Sequence, residues 1–390
     1  MSFNPENLLS KTVSSIPPSG IRQFFDIVAE MKDAISLGVG EPDFVTPWHI
    51  RDEGIYSLQK GHTHYTSNKG LVELRREISN YLSRRFNLSY DPMTQTVVTV
   101  GGSEAIDIFM RSVLSPGDEV LVPEPSFVCY KPLATMAGGV PVALTTKAEN
   151  KFKLTADELK KAITPKTKVL VLPYPNNPTG GIMTKADLEE IAEVLRGTDI
   201  LVLSDEIYAE LTYGRHHCSI AEIDGMYEHT VLVSGFSKAY AMTGWRLGYA
   251  CGHPAIISAM TKVHQYEIMS APTTAQYAAI EALKNGDKDI EMMREEYNDR
   301  RKVIVKGFND MGLDCFEPEG AFYAFPCIKS TGLSSSDFCE KLLYSKKVAV
   351  IPGTAFGDSG EGHIRCSYAY SLDNINEALN RIEAFVKENK

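Results

Sequence analysis

The stretch KVLVLPYPNNPTGGIMTKADLEEIAEVLRGTDILVLSD, residues 168–205, decides the fold class of this 390-residue chain. It begins and ends with short runs of valine, leucine and isoleucine, which are typical of strands buried on both faces. Between the runs, Thr184 precedes a helical pattern with an acidic residue three positions on, the signature of a helix N-terminus. Two buried strands joined by a helix predict a unit of a mostly parallel α/β sheet.

The same alternation extends in both directions along the chain. We predict an α/β fold with a mostly parallel seven-stranded sheet sandwiched by helices, with strands at 96–100, 119–122, 140–145, 168–172, 200–204, 230–234 and 247–251. After residue 254 the pattern is helical, and strand-like runs near 321–325, 348–351 and 363–368 then alternate with helices, which predicts a smaller α+β domain. We place the large domain at 46–285. The small domain comprises residues 286–390 together with the N-terminal segment 1–45.

The composition excludes several classes of protein. The chain has 40 Lys and Arg against 50 Asp and Glu, a net charge of −10, and no basic block, so nucleic acid is not an expected partner. No apolar run approaches the roughly 20 residues of a membrane helix, and the N-terminus lacks a signal-peptide pattern. The seven cysteines are scattered without a CxxC pair, as in reducing compartments. We expect a cytoplasmic protein.

Lys238 is a candidate for covalent chemistry. It follows an apolar strand in VLVSGFSKAYAMTGWRLGY, residues 231–249, and Arg246 comes eight positions later. An amine near the protein interior loses proton affinity through desolvation and nearby positive charge, which leaves it nucleophilic toward an aldehyde. The alternative is a surface lysine, the commoner case for a lysine taken alone.

Two other predicted strands end in polar side chains. Asp205 closes the strand in ILVLSDEIYAEL, with Tyr208 three residues later, at the edge where open α/β sheets bind ligands. A buried aspartate needs a cationic partner such as a protonated pyridine nitrogen, and the alternative is a helix N-cap. In LPYPNNPTGG, residues 172–181, Asn177 lies in a rigid turn where its amide can donate a hydrogen bond.

The loop TVGGSEAI, residues 99–106, is suited to an anion. Gly101, Gly102 and Ser103 lie between a strand and a helix, so backbone amides, a hydroxyl and the positive helix end converge on one point. This geometry suits a phosphate, although glycines also serve close packing in ordinary loops.

In this order and spacing, the motifs resemble those of the class I/II pyridoxal-phosphate-dependent aminotransferases of fold type I. The resemblance spans nearly the whole chain and also includes SLGVGEPDF (36–44), HYTSNKGLVELR, PGDEVLVPEPSF, PEGAFYAF, PGTAFG and HIRCSYA. It implies pyridoxal 5'-phosphate as the cofactor, an amino acid and a 2-oxo acid as substrates, and a homodimer.

The resemblance also implies roles around the cofactor ring. Lys238 would bond to the cofactor aldehyde and carry the proton, and Asp205 would pair with the ring nitrogen. Asn177 and Tyr208 would hydrogen-bond the phenolic oxygen, and Phe127 of EPSFVCY would stack on the ring.

At the phosphate, the resemblance implies Gly102, Ser103 and Arg246, with Ser237 as a weaker contact and Tyr65 of HYTSNKG reaching in from a partner subunit. A guanidinium forks onto phosphate oxygens better than an ammonium does.

The sequence departs from one family pattern beside the reactive lysine. Gly235 stands three positions before it, where some family members carry a phosphate-binding serine, and Ser234 is one residue earlier. A role for Ser234 therefore stays open.

The resemblance places the substrate carboxylate at the other end of the chain. Arg365 of EGHIRCSYA would clamp the α-carboxylate through two parallel hydrogen bonds, beside the backbone amide of Gly40.

The substrate follows less directly from the sequence. The chain most resembles the branch of aromatic, aspartate and N-acetyl-diaminopimelate aminotransferases, on SGIRQF, LPYPNNPTG and MTGWRLG. We expect a ping-pong aminotransferase for aromatic or a broad range of L-amino acids, with a 2-oxo acid such as 2-oxoglutarate as the acceptor. Aspartate or N-acetyl-diaminopimelate as the donor, and a fold type I lyase, stay open.

Two other kinds of site are not favoured. A nicotinamide-dependent oxidoreductase needs a G-x-G-x-x-G turn, and GVGEPD, residues 38–43, has Asp43 in place of the third glycine. The pairs His62/His64 and His216/His217 lie in polar, turn-like segments without partners at ligand spacing. They are more typical of solvated loops than of a metal site.

Overall fold

The structure is a computed structural model that describes residues 3–18, 20, 31 and 33–389. Apart from Gly20, the SGIRQF motif lies outside the described residues. The strands are β1 (Ile35–Ser36), β2 (Thr96–Thr99), β3 (Glu119–Glu124), β4 (Val140–Thr145), β5 (Thr167–Leu172), β6 (Leu201–Asp205), β7 (Thr230–Gly235), β8 (Gly248–Cys251), β9 (Tyr323–Ala324), β10 (Val348–Ala349), β11 (Ile351–Pro352) and β12 (Ile364–Ser367). The α-helices of the described residues are Lys11–Ser14, Trp48–Gln59, Val72–Phe86, Gly102–Val113, Tyr130–Met136, Ala156–Ala162, Lys185–Leu195, Pro254–Glu267, Thr273–Asn285, Asp287–Asp310, Ser335–Lys346 and Leu372–Glu388.

The predicted seven-stranded sheet is confirmed, with the strand order β2-β8-β7-β6-β5-β3-β4. Strands β4, β3, β5, β6 and β7 are parallel, and β8 runs antiparallel to both β7 and β2. The observed strand ends differ from the predicted ones by at most two residues. The largest difference is in β3, which continues to Glu124 because its pairing with β4 extends to Thr145.

Alternate residues of β5 build the core on the two faces of the sheet. Val169 and Val171 pack with the helices Gly102–Val113 and Pro254–Glu267. Leu170 and Leu172 pack with Lys185–Leu195 on the opposite face. Because side chains alternate along a strand, an apolar run such as VLVL buries both faces at once.

The N-terminal and C-terminal parts of the chain meet beside this sheet. Strand β1 pairs in parallel with β10, and β11, β12 and β9 form a small antiparallel sheet. The helix Asp287–Asp310 leads from the large sheet toward these strands. The domain limits proposed from the sequence stay a prediction. Within the described residues, no helix is both long and apolar enough to cross a bilayer.

Candidate active site

A cavity of about 380 Å³ lies where the parallel strands end and β12 approaches them. Its volume is within the usual range for small-molecule sites. It brings together eleven of the twelve site residues predicted from the sequence: Gly40, Gly102, Ser103, Phe127, Asn177, Asp205, Tyr208, Ser237, Lys238, Arg246 and Arg365.

The remaining site residue, Tyr65, does not line the cavity, and its side chain is 80% exposed. Ser234, which the sequence left open, is not part of the lining either. Its hydroxyl donates a hydrogen bond to the carbonyl of Glu206 at 3.3 Å.

Lys238 follows the end of β7 and points into the cavity. Its Nζ donates to the carbonyl oxygen of Gly40 at 2.5 Å. Burial lowers the pKa of Lys238 to about 8, and the positive charges of Arg365 and Arg246 act in the same direction, against the carboxylate of Glu41. A substantial fraction of this amine is therefore neutral near physiological pH, as a nucleophile or proton acceptor must be.

Asp205 ends β6 inside the cavity. Its Oδ2 accepts a hydrogen bond from the Tyr130 hydroxyl at 2.7 Å, and its Oδ1 accepts from the backbone N–H of Ile207 at 3.2 Å. Burial raises the pKa of Asp205, while the two hydrogen bonds favour the charged form. A buried carboxylate without an ion-pair partner among the described residues fits a cationic nitrogen of a ligand.

Arg365 lies on β12 with only 2% of its surface exposed. Its Nη1 donates to Asn177 Oδ1 at 3.0 Å, and its Nη2 donates to the carbonyl of Gly38. The rings of Tyr323 and Phe356 lie 4.6 Å and 4.8 Å from the guanidinium carbon.

This arginine has no carboxylate partner in the described part of the chain, and its buried Nε makes no hydrogen bond there. Burial lowers the pKa of Arg365, as expected for a cation without a counterion. A substrate carboxylate would supply both the missing charge and the missing acceptor.

The predicted phosphate corner is formed by the loop before the helix Gly102–Val113. Gly101 has φ +81°, and a Cβ built on it would lie 2.6 Å from Arg246 Nη2. The guanidinium of Arg246 therefore lies directly against the loop, beside Gly102 and Ser103 at the positive end of the helix. A cation and a helix N-terminus at one corner suit an anion.

Two tyrosines are among the cavity residues that were not identified from the sequence. The hydroxyl of Tyr323 lies 2.7 Å from that of Tyr208, and Tyr130 holds Asp205. Tyr323 belongs to the quoted PEGAFYAF motif, and Tyr130 lies three residues after Phe127, so both were within segments already singled out. Their roles depend on tertiary contacts that sequence spacing does not encode.

The prediction of a solvated loop is wrong for His217. Its side chain is only 6% exposed, and its Nε2 lies 2.9 Å from Glu206 Oε2. Glu206 is itself buried, and a buried carboxylate requires polar partners. No group of three or more histidine, cysteine or acidic residues in the described part of the chain could hold a metal ion.

The chain is similar to known proteins over nearly its whole length. The family model described as aminotransferase class I and II matches residues 32–382. The protein YugH of Bacillus subtilis (strain 168) is 54% identical over 378 residues, which cover 97% of this chain and 98% of the relative. An aspartate aminotransferase of Pyrococcus abyssi is 47% identical over 385 residues, covering 98% and 99%.

Among solved structures, an aromatic aminotransferase from Pyrococcus horikoshii OT3 has a TM-score of 0.90 and 45% identity, covering 94% of this chain and 99% of that one. Class I and II aminotransferases use pyridoxal phosphate. Because the family model spans most of the chain and the relatives align from end to end, the chain belongs to the class I and II aminotransferases and is a pyridoxal-phosphate-dependent enzyme.

Proposed function

We propose that this aminotransferase transfers the amino group of an aromatic L-amino acid, or of a broad range of L-amino acids, to a 2-oxo acid such as 2-oxoglutarate. The charge inventory of the cavity carries the proposal. The cationic side chains in its lining are Lys238, Arg246 and Arg365. We assign Lys238 to the cofactor aldehyde, Arg246 to the cofactor phosphate and Arg365 to the α-carboxylate of the substrate.

A donor with a second carboxylate therefore finds no further cation in this described lining. The walls instead include apolar side chains, among them Val39, Ile106 and Ile207. Burying a charge without a partner is costly, whereas an aromatic side chain gains free energy from apolar contact. Because an unpaired buried charge is costly, the second carboxylate of 2-oxoglutarate must contact solvent or a cation from outside this lining.

The residues present fit pyridoxal phosphate. When bound, the cofactor supplies an aldehyde that bonds to amines and a ring that takes up electrons from the substrate carbon. We assign the phosphate to Gly102, Ser103 and Arg246, with Ser237 beside them. Asp205 would meet the ring nitrogen. Its lack of an ion-pair partner is the observation that supports this placement.

The remaining ring contacts follow from the same cavity. Phe127 is assigned to the ring face, and Asn177 and Tyr208 to the phenolic oxygen. The Oδ1 of Asn177 already accepts from Arg365, which leaves its amide N–H groups as donors.

We assign proton transfer to Lys238 and substrate orientation to Arg365. With a pKa of about 8, the lysine amine can take up a proton from the substrate carbon and return it in the next step. Arg365, fixed between two rings, would hold the α-carboxylate, and the N–H of Gly40 would lie beside it. A substrate held by its carboxylate has lost translational and rotational entropy before the reaction begins, which lowers the barrier of the following step.

We also propose a homodimer in which Tyr65 reaches the partner's phosphate site. The described surface exposes large apolar or aromatic side chains at Val45, Trp48, Leu58 and Tyr65, which are 55% to 80% exposed. Contact with a second copy would remove these apolar side chains from water.

Initial rates for a panel of donors test the substrate assignment. Phenylalanine, tyrosine, aspartate and N-acetyl-LL-diaminopimelate would each be paired with 2-oxoglutarate, and kcat/KM compared. We expect the aromatic donors to exceed aspartate by about tenfold or more, because the unpaired carboxylate is penalised. A preference for aspartate contradicts the proposal, and ammonia release without formation of glutamate would indicate a lyase.

A further inference from the structure

Glu104 introduces a charge conflict at the proposed phosphate corner. It follows Ser103 directly, in the first turn of the helix Gly102–Val113. Its Oε2 accepts a hydrogen bond from the backbone N–H of Val100 and so ties the loop to the helix. A carboxylate in this turn competes with a phosphate for the positive helix end and repels it.

His264 contacts this carboxylate from the neighbouring helix Pro254–Glu267. Its side chain is completely buried, and its Nδ1 lies 2.6 Å from Glu104 Oε1. The other ring nitrogen, Nε2, is buried without a hydrogen-bond partner among the described residues. The polar contact of this buried ring is therefore with Glu104.

Three of the other charged groups of the two helices pair with one another, and the fourth, Lys262, is exposed. Arg111 Nε lies 2.9 Å from Asp107 and 3.3 Å from Glu267, on the more exposed side of the helix pair. In the described part of the chain, His264 is the only Lys, Arg or His side chain within 4 Å of the Glu104 carboxylate.

We propose that His264 is a positioning residue for the phosphate of the cofactor. It holds the Glu104 carboxylate in the orientation that binds Val100 N–H, and its Nδ1 contact stabilises that carboxylate away from the phosphate. The loop 99–103 can then accept a dianion at the same helix end. The inference rests on the proposed placement of the phosphate at Gly102, Ser103 and Arg246.

The test measures the dissociation constants of pyridoxal phosphate and of pyridoxal, which lacks the phosphate, for the apoprotein. Wild type, His264→Leu, Glu104→Gln and the double variant would be titrated by the absorbance of the bound ligand. Glu267→Gln is the matched control, since it removes a carboxylate of the same helix pair that does not contact the loop.

We expect His264→Leu to weaken pyridoxal phosphate by about tenfold, because Glu104 is left uncompensated, and to change pyridoxal by less than about twofold. The double variant should regain wild-type affinity within about threefold, since glutamine can accept from Val100 N–H without a charge. Glu267→Gln should leave both constants unchanged.

Three results would overturn the inference. They are an unchanged dissociation constant of pyridoxal phosphate in His264→Leu, no recovery of its affinity in the double variant, and an equal loss of affinity for pyridoxal phosphate and pyridoxal. If His264→Leu does not fold, His264→Phe, which keeps a ring of similar shape, and the double variant His264→Phe/Glu104→Gln replace it, with the same expected results and the same results overturning the inference. A wild type that binds pyridoxal as tightly as pyridoxal phosphate would instead refute the placement of the phosphate.

Discussion

At the scale of single residues, the site depends on charged groups that the fold has left without counterions. Lys238 has a lowered pKa, and Arg365 and Asp205 lack ion-pair partners among the described residues. Each such group is costly to bury alone, and a cofactor and substrate of opposite charge would relieve the cost. Such buried, unpaired charges are typical of functional sites, where acids, bases and nucleophiles have pKa values matched to the reaction.

Lys238→Ala removes the amine that we assign to proton transfer. Turnover should fall by at least about 10³-fold, in line with the loss of a general base. Pyridoxal phosphate should still bind non-covalently, because Arg246 and Asp205 remain. Steady-state rates and equilibrium dialysis check the two parts, with the exposed Lys166→Ala as the control. Normal turnover by Lys238→Ala would remove this residue from its role.

The pKa of Lys238 gives a pH dependence for the uptake of cofactor by the apoprotein. Only the neutral amine attacks an aldehyde, and the amine is protonated below its pKa. The rate should rise with pH and level off above about 8. Borohydride reduction followed by mass spectrometry measures the adduct. A rate that still rises toward pH 10 would indicate an ordinary lysine.

Arg365→Lys keeps the positive charge but replaces the planar guanidinium, which can donate two parallel hydrogen bonds, with an ammonium. We expect KM for the amino-acid donor to rise about tenfold or more, while the dissociation constant of pyridoxal phosphate changes by less than about threefold. Equal losses of both would place Arg365 away from the substrate. Titration of the apoprotein and steady-state kinetics separate the two effects.

At the scale of elements, the carboxyl ends of the parallel strands place side chains from distant parts of the chain in one cavity. Strands buried on both faces have a clear sequence signal, and six of the seven strands are of this kind; the exception is the edge strand β4, which is partly exposed. Lys238, Asp205 and Asn177 were found for the same reason, since each follows such a strand.

The side-chain pairs inside the cavity were not predictable in this way. Tyr130 and Asp205 are 75 residues apart, Tyr208 and Tyr323 are 115 apart, and Glu104 and His264 are 160 apart. Strand and helix periodicity specifies which face a residue occupies, but not the residue that it meets on another element. His217 was misassigned because the sequence does not show that this loop folds back and brings it to the buried Glu206, eleven residues earlier.

Gly101→Ala tests the phosphate loop. Both Gly101 and Gly117 have positive φ, so alanine strains the backbone at either position, by roughly 1 to 3 kcal/mol. Only at Gly101 would the Cβ meet Arg246; at Gly117 it meets nothing within 4 Å. We expect a decrease in Tm for both variants and weaker binding of pyridoxal phosphate for Gly101→Ala alone. Equal affinities would contradict the assignment of this loop.

At the scale of the whole molecule, the proposed dimer makes each site depend on two chains. We expect Lys238→Ala and Tyr65→Ala each to lose activity as pure proteins. In a mixed dimer, the Lys238 of one chain would meet the Tyr65 of the other, so co-refolding the two variants should restore activity at one site in each hybrid. No recovery, with the hybrid present by mass, would show that Tyr65 acts within its own chain or not at all.

The absorption spectrum of the purified enzyme, before and after addition of one amino acid without any 2-oxo acid, tests the central claim most directly. We predict that an aromatic L-amino acid removes the aldehyde absorbance of the bound cofactor and releases about one equivalent of 2-oxo acid per subunit. The Lys238→Ala variant should show no such conversion on the same timescale. A spectrum that stays unchanged with every donor, although the cofactor is bound, would contradict the account.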